Sequence, residues 1–304
     1  MSLESVVVIG NFDGVHRGHQ AVLGQARALA DARGLCCVVL TFDPHPSEVL
    51  GRGAPPRLTA LDRRVELLRA SGADEVVVEP FTMDLAAWTP EQFVDDLLGL
   101  RLGTKIVVVG QNFRFGSKRV GDFAMLRRLG ATRHVQAVAA EVAGDEQGPF
   151  SSTRVRDAIA AGEVDRAAYV LGRPHAISGV VEHGDARGRT LGFPTANLGQ
   201  VEEMLPAHGV YAVRAAIEGV QGEAPARLGG VMNVGVRPTI GAEEPRPRIE
   251  VHLFDFDADI YGAVLRVELV ARLRGEQKFP GLEALRAQIA KDTEAARSAL
   301  RAAP

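Results

Sequence analysis

Two histidines three residues apart follow a glycine-rich turn near the start of the chain, in G-N-F-D-G-V-H-R-G-H over residues 10–19. An imidazole that is protonated, or that donates an N–H, can stabilise charge developing on a transferring phosphoryl group and on its leaving oxygens. His16 and His19 are the candidates. Val6, Val7, Val8 and Ile9 precede the turn as four apolar β-formers and read as a short buried strand. After Gly18 the spacing of Ala21, Val22, Ala26, Leu29 and Ala30 predicts a helix. A strand feeding a helix through such a turn aims backbone N–H groups and the positive helix end at one spot, which suits phosphate. One histidine in a loop is ordinary surface. Two of them in H-x-G-H, just after a strand and a G-x-F-D-G turn, point to chemistry.

A second group lies in residues 184–197, G-D-A-R-G-R-T-L-G-F-P-T-A-N. Its glycines and arginines offer phosphate-approaching backbone, and Thr195 and Asn197 supply two oxygen donors two residues apart. Mg²⁺ takes hard oxygens together with substrate phosphates and keeps several waters. Glu250, in R-I-E-V-H-L-F-D-F, has apolar neighbours in a strand. A carboxylate at an inward strand position there costs free energy unless it has a partner or a task, and general-base work is such a task. A surface glutamate on an edge strand gives the same pattern in sequence.

The elements that must position these residues alternate in the first half. Residues 35–42, 75–79, 105–109 and 134–139 read as the second to fifth strands. Between them, Thr59 caps a helix carrying Leu61, Val65 and Leu68 that Gly72 closes, and Thr89-Pro90-Glu91 opens another with Phe93, Val94, Leu97 and Leu98. This alternation predicts βαβ units and a parallel sheet, whose ligands sit beyond the carboxyl ends of the strands. Three stretches fall there. T-F-D-P-H-P (41–46) alone says only rigid loop; G-Q-N-F-R-F-G-S-K-R (110–119) has cations suited to phosphate and two phenylalanines, Phe113 and Phe115, that can pack on a ring system. F-S-S-T-R-V-R (150–156) is a capped helix start whose arginines oppose the helix dipole, a small cost that anionic phosphate at the helix end would offset. Ser152 and Thr153 serve equally well as plain N-caps.

The character changes near Gly172-Arg173-Pro174, which places a boundary between residues 1–173 and 174–304. Beyond it, residues 177–182, 210–217, 228–234, 248–256 and 264–273 read as strands separated by Gly-, Pro- and Asp-rich turns, which predicts a small antiparallel barrel. A last helix, residues 282–300, carries Leu285, Ile289, Thr293 and Ala296 on one face and is expected on the outside of the barrel. Residues 143–149 and 220–225 read as loops.

Composition bounds the rest. A net charge of −3 over 304 residues argues against a nucleic-acid or anionic-membrane binder. No apolar run approaches the ~20 residues of a membrane span, and the N-terminus lacks the pattern of a secretory signal. Cys36 and Cys37 are adjacent, so a disulfide between them is not expected, and they read as core thiols of a cytoplasmic protein. Self-association is left open.

G-N-F-D-G-V-H-R-G-H resembles the nucleotidyltransferase signature of the bacterial bifunctional riboflavin kinase/FMN adenylyltransferase (FAD synthetase) family. The three stretches above fall where that family has T-F-x-P-H-P, G-x-x-F-x-F-G and S-S-T-x-x-R, in the same order. G-R-x-L-G-F-P-T-A-N and E-x-H-L-x-D-F resemble its riboflavin kinase signatures, and K-F-x-G-L-E-A-L-x-x-Q-I-x-x-D-x-x-x-A-R its C-terminal helix. The resemblance implies a Rossmann-like α/β nucleotidyltransferase domain with a parallel sheet, followed by a small antiparallel β-barrel domain with a C-terminal helix. It implies that the second phosphorylates riboflavin to FMN with ATP and Mg²⁺, and that the first adenylylates FMN to FAD, releasing pyrophosphate. By the same resemblance Gly10, Asn11, Phe12, Asp13, Asn112, Ser152, Thr153, Arg156, Arg189, Gly192 and Pro194 bind ATP or FMN, with Arg156 on phosphate. Thr195 and Asn197 hold the metal, Glu250 is the base on the riboflavin 5′-hydroxyl, and His16 and His19 assist adenylyl transfer. Arg297 either reaches flavin or pairs with Asp292 or Glu294.

Overall fold

The computed structural model describes residues 4–183, 193–218, 227–236 and 247–303. The chain divides into two compact units, Met1–Ser152 and Thr153–Pro304.

In the first unit β1 (Ser5–Ile9), β2 (Cys36–Asp43), β3 (Glu75–Pro80), β4 (Thr104–Val109) and β5 (Gln136–Ala139) form a parallel sheet in the order β3-β2-β1-β4-β5. Helices α1 (Arg17–Asp31), α2 (Pro46–Val49), α3 (Leu61–Ala70), α4 (Met83–Ala87), α5 (Pro90–Gln92) and α6 (Phe123–Ala131) connect the strands. β1 is buried along its whole length because helices cover both faces of a parallel sheet, which is why its sequence is a continuous apolar run. Val6 and Val8 join one core cluster with Leu23, Ala26 and Ala30 of α1, while Val7 and Ile9 join another with Phe93 and Leu97.

Four details of this unit differ from the sequence expectation. Thr59 does not cap α3: the cap residue is Ala60, with no side-chain bond, and the Thr59 N–H is committed to Asp13. Thr89 does open a capping box with Gln92, but after one turn the chain widens into a π-helix over Phe93–Arg101. The fifth strand begins at Gln136 because His134 takes a left-handed φ of 57°, which ends any extended run before it. Residues 144–149, expected as loop, include the two-residue strands β6 (Gly144–Asp145) and β7 (Gly148–Pro149), paired antiparallel.

Helix α7 (Ser152–Ala161), whose first residue ends the first unit, and α8 (Val164–Leu171) come next, closed by Gly162 and Gly172 in the left-handed region. Then β8 (Ala176–Glu182), β9 (Ala196–Gly199), β10 (Gly209–Ile217), β11 (Leu228–Val236), β12 (Pro247–Leu253) and β13 (Val264–Arg274) close a barrel in the order β10-β11-β12-β9-β8-β13. β9 is an addition to the expected strands. Alternate residues such as Ile249, Val251 and Leu253 fill the interior with Tyr211, Met232 and Leu265. The final helix α9 (Leu282–Ala302) packs outside on β10, β11 and β13, with Ala296 against Ala212 and Phe254.

Candidate active sites

The turn after β1 is held by its own side chains. Phe12 and Val15 take left-handed φ values of 51° and 40°, and their side chains are buried in the core beside α1. Burial of two large apolar groups offsets strain on the order of 1–2 kcal/mol each. A Cβ on Gly10 would stand 3.0 Å from the Phe12 ring, so any larger residue would have to push that ring aside. The Asp13 carboxylate accepts from the backbone N–H groups of Leu58 (3.0 Å) and Thr59 (3.2 Å), and the Asp13 carbonyl accepts from the Ser152 hydroxyl (2.8 Å).

His16 then caps α1: its Nδ1 accepts from the His19 backbone N–H at 3.3 Å. A neutral His16 ring therefore carries its proton on Nε2. The two imidazoles stack at 3.6 Å between centroids, with Phe12 edge-on to His19 at 5.1 Å. Gly18 has a strict steric reason, since a Cβ there would sit 2.9 Å from the Phe150 carbonyl oxygen and 3.0 Å from the His16 ring. No acidic residue lies in the first turn of α1, so its positive end is uncompensated by its own sequence.

Beside this turn, at the carboxyl ends of the strands, is a cavity of about 590 Å³. β1 lies between β2 and β4, so this is the switch point of the sheet, where open α/β folds bind ligands. Gly10, Asn11 and Asn112 line it, with His45 and an aromatic wall that includes Phe42, Phe81 and Phe113. Phe113 and Phe115 both line it as expected, although Phe115 is largely spent on the core, stacked on Phe113 at 5.6 Å. Arg52, Arg114, Lys118 and Arg119 make its rim cationic, with no carboxylate among the described residues that line it. Phe12 and Asp13, expected to bind nucleotide, are buried, with the Asp13 carboxylate taken up by the Leu58 and Thr59 N–H groups.

Sequence reasoning missed two residues here. His45 joins the cavity wall to the turn: its Nε2 lies 2.9 Å from the Asn11 side-chain amide, and its Nδ1 accepts from the Ser47 N–H at 3.1 Å. Arg64 is buried under the same turn and donates to the Asn11 carbonyl at 3.2 Å and to Asp43 at 2.9 Å. Burial pulls its guanidinium below the ordinary arginine value, and Asp43 opposes that. The T-F-D-P-H-P segment held His45 in view; nothing in the sequence marked Arg64 as other than a helix-surface cation. Thr153 and Arg156 lie in the first turns of α7, Thr153 exposed and Arg156 half-buried.

The barrel carries the other group on its outer face. Glu250 alternates with the buried Ile249 and Val251, so its side chain points away from the core, which corrects the inward placement expected from its apolar neighbours. Nor is its strand an edge: β12 is paired on both sides, and Glu250 stands opposite Asn197 of β9 and Asn233 of β11. Arg248, on the same face, ion-pairs with Glu250 at 2.7 Å. Asn197 in turn stands opposite Glu182 of β8, whose carboxylate lies against Gly199 where a Cβ would clash. Thr195 and Pro194 line a cavity of about 380 Å³ at the barrel mouth, with Val251, Phe256 and Tyr261.

Thr195 and Asn197 offer a hydroxyl and an amide oxygen, Asn197 stands opposite the carboxylate-bearing Glu250 and Glu182, and no cluster of three His, Cys, Asp or Glu occurs among the described residues. That chemistry fits Mg²⁺ held mainly by substrate phosphates and water. Arg189 and Gly192 lie outside the described residues. Arg297 pairs with neither Asp292 nor Glu294: it makes two 3.0 Å bonds to Asp255 and lies 4.3 Å over the Phe254 ring, while Asp292 is held by Arg274 and Gln288. The Arg297 guanidinium holds the Asp255 carboxyl below the usual carboxylate range.

Residues 2–154 match the FAD synthetase family model, and residues 171–300 match the riboflavin kinase model. The bifunctional riboflavin kinase/FMN adenylyltransferase of Escherichia coli K12 is 42% identical over 293 residues, spanning 96% of this chain and 91% of that one. The chain belongs to the bifunctional riboflavin kinase/FMN adenylyltransferase family. The Bacillus subtilis member is 38% identical over 302 residues, spanning 96% of this chain and 92% of its own. A crystal structure of a Streptococcus pneumoniae protein described as a macrolide-efflux protein superposes with a TM-score of 0.85 at 33% identity, over 98% of this chain and 95% of that one. Among the described residues no helix is long and apolar enough to cross a membrane. In this bifunctional family the histidine turn and the switch-point cavity fall within the FAD synthetase match. Thr195, Asn197 and Glu250 fall within the riboflavin kinase match.

Proposed function

We propose that the two activities of this bifunctional enzyme divide between the two groups of residues just described. Residues 1–173 act as the FMN adenylyltransferase and residues 174–304 as the riboflavin kinase. In adenylyl transfer an FMN phosphate oxygen attacks the α-phosphorus of ATP, and pyrophosphate leaves. The substrate supplies the nucleophile, so the protein's task is placement and charge stabilisation. His16 and His19 donate to the phosphate oxygens, with the N-terminal amides of α1 behind them. Gly10, Asn11 and Asn112 line the wall against which the flavin phosphate and ring settle. Ser152, Thr153 and Arg156 are assigned to phosphate on the S-S-T-x-x-R motif.

In the kinase, Glu250 accepts the proton of the riboflavin 5′-hydroxyl as its oxygen attacks the γ-phosphorus, and ADP leaves. Thr195 and Asn197 would hold Mg²⁺, which supplies neutralisation of phosphate charge. Pro194, with Arg189 and Gly192, is assigned to ATP on the G-R-x-L-G-F-P-T-A-N motif. The two free thiols, Cys36 and Cys37, accord with a reducing cytoplasm, where riboflavin, FMN and ATP are met.

One observation supports this reading above the others: the aromatic, cation-rimmed cavity beside the histidine turn lies within the FAD synthetase match, and the Asn197–Glu250 pair within the riboflavin kinase match. The test is a crossed assay. His19→Ala should lower FAD formation by about 10²–10³-fold and leave FMN formation intact. Glu250→Gln should do the reverse, abolishing FMN formation and sparing adenylylation of supplied FMN. Equal loss of both activities in either variant would reject the division.

A further inference from the structure

Glu250 is followed two residues later on the same strand face by His252, a side chain to which the reading above gives no task. Its Nδ1 lies 2.8 Å from the Pro194 carbonyl oxygen. A carbonyl only accepts, so Nδ1 carries the proton and donates it. The ring is also edge-on to Phe193 at 5.5 Å and 85°, and to Phe254 at 5.9 Å and 71°. Phe254 is itself covered by Arg297, which Asp255 holds. His252 thus ties the Phe193–Pro194 segment to β12.

The tie matters because the backbone ladder does not reach far enough. β12 and β9 pair through two rungs, Glu250 with Asn197 and Val251 with Ala196. Thr195 lies one residue beyond the last rung, so pairing fixes Asn197 against Glu250 and leaves Thr195 to whatever holds its neighbour. The His252 bond holds that neighbour, Pro194. Mg²⁺ demands near-ideal octahedral geometry with metal–oxygen distances of about 2.0–2.1 Å, so a hydroxyl that drifts by an ångström no longer serves.

We propose that His252 is a positioning residue of the kinase, which through its Nδ1–H bond to Pro194 sets the Thr195 hydroxyl in register with Asn197 and Glu250 for the metal–triphosphate end of ATP. The inference rests on the assignment of Thr195 and Asn197 to the metal. Loss of a partner of this kind typically weakens metal affinity by 10–100-fold.

The test uses the full-length enzyme with His252→Phe, which keeps the aromatic packing and removes the donor, and His252→Asn, whose amide N–H can replace Nδ1–H. Hydrogen exchange of residues 193–199 is titrated with Mg·ADP and with ADP in EDTA, alongside the Mg²⁺ dependence of FMN formation. In His252→Phe the Mg·ADP midpoint should rise by about tenfold or more, with the metal-free ADP midpoint changed less than about twofold. The half-saturating Mg²⁺ for the kinase should rise in parallel, FMN adenylylation should be unchanged, and His252→Asn should recover most of the loss. A wild-type Mg·ADP midpoint in His252→Phe, equal weakening with and without metal, or no recovery in His252→Asn would overturn the proposal. Should His252→Phe fail to fold, His252→Gln, which places its amide beyond the Nδ1 position, takes its place with the same expected outcomes. Thr195→Ala separates the two levels: if it leaves the Mg·ADP midpoint unchanged, the metal assignment itself fails. If it weakens binding while His252→Phe does not, only the role of His252 fails.

Discussion

His175 offers a direct measurement of what burial does to a titratable group in the second unit. Its ring is buried at the entry to β8, with Nε2 2.9 Å from the Met204 carbonyl, and its own carbonyl accepts from the Leu269 N–H at 2.8 Å. Burial pushes its pKa down from 6.5 to about 4, against the bond to Met204, which favours the charged form. Between those two values the unfolded chain holds a proton at this position that the folded chain does not. Stability is therefore full above pH 6.5 and is lost as the pH falls toward 4, at about 1.4 kcal/mol per pH unit, or about 3 kcal/mol in all. His175→Gln keeps an N–H for Met204 and cannot titrate. It should be less stable than wild type at pH 7 by about 1–2 kcal/mol and should overtake it between about pH 5 and 6. Urea unfolding of the full chain at a series of pH values, read by hydrogen exchange at Ile177 and Leu269, measures both curves. Carboxylates contribute equally to both, so the difference isolates the histidine. Parallel curves would refute the reasoning.

Arg64→Met should lower FAD formation by about 10²-fold with FMN formation unchanged in the same preparation, because it strips the Asn11 carbonyl and Asp43 of their buried donor. Gly18→Ala forces the Phe150 carbonyl and the His16 ring apart, at about 1–3 kcal/mol; FAD formation should fall while the kinase, assayed alongside, persists. Cys37, whose thiol burial raises to about 11, and Cys36, raised by the same cause, should react slowly with a thiol reagent at neutral pH and react together on denaturation.

The parallel sheet was legible because burial on both faces writes itself into a strand as an unbroken apolar run, as in Val6–Ile9 and residues 37–40. Motifs at strand ends then fell where the fold needs them. What stayed hidden depends on partners distant in sequence. Glu250 reads as inward among Ile249, Val251 and Leu253, yet strand alternation puts it on the opposite face from all three. β9 is four residues long and follows Pro194, too brief for any periodicity to announce it. Thr59 has the side chain of a cap, but Asp13, 46 positions away, claims its backbone first. Arg64 shows why charge alone misleads, since the same residue type on α3 is half-buried in a surface ion pair with Glu66 at Arg63 and buried one position later.

The two rungs joining β9 to β12 also govern which length changes the kinase half can absorb. Residues inserted or deleted ahead of Phe193 leave Asn197 facing Glu250, because that match is made by main-chain pairing and not by the approach to it. One residue added between Ala196 and Leu198 would rotate the short strand by half a turn of its pleat. It would send the amide into the apolar interior and bring leucine out in its stead. Natural variation in loop length should therefore cluster before the P-T-A-N segment and stop at it.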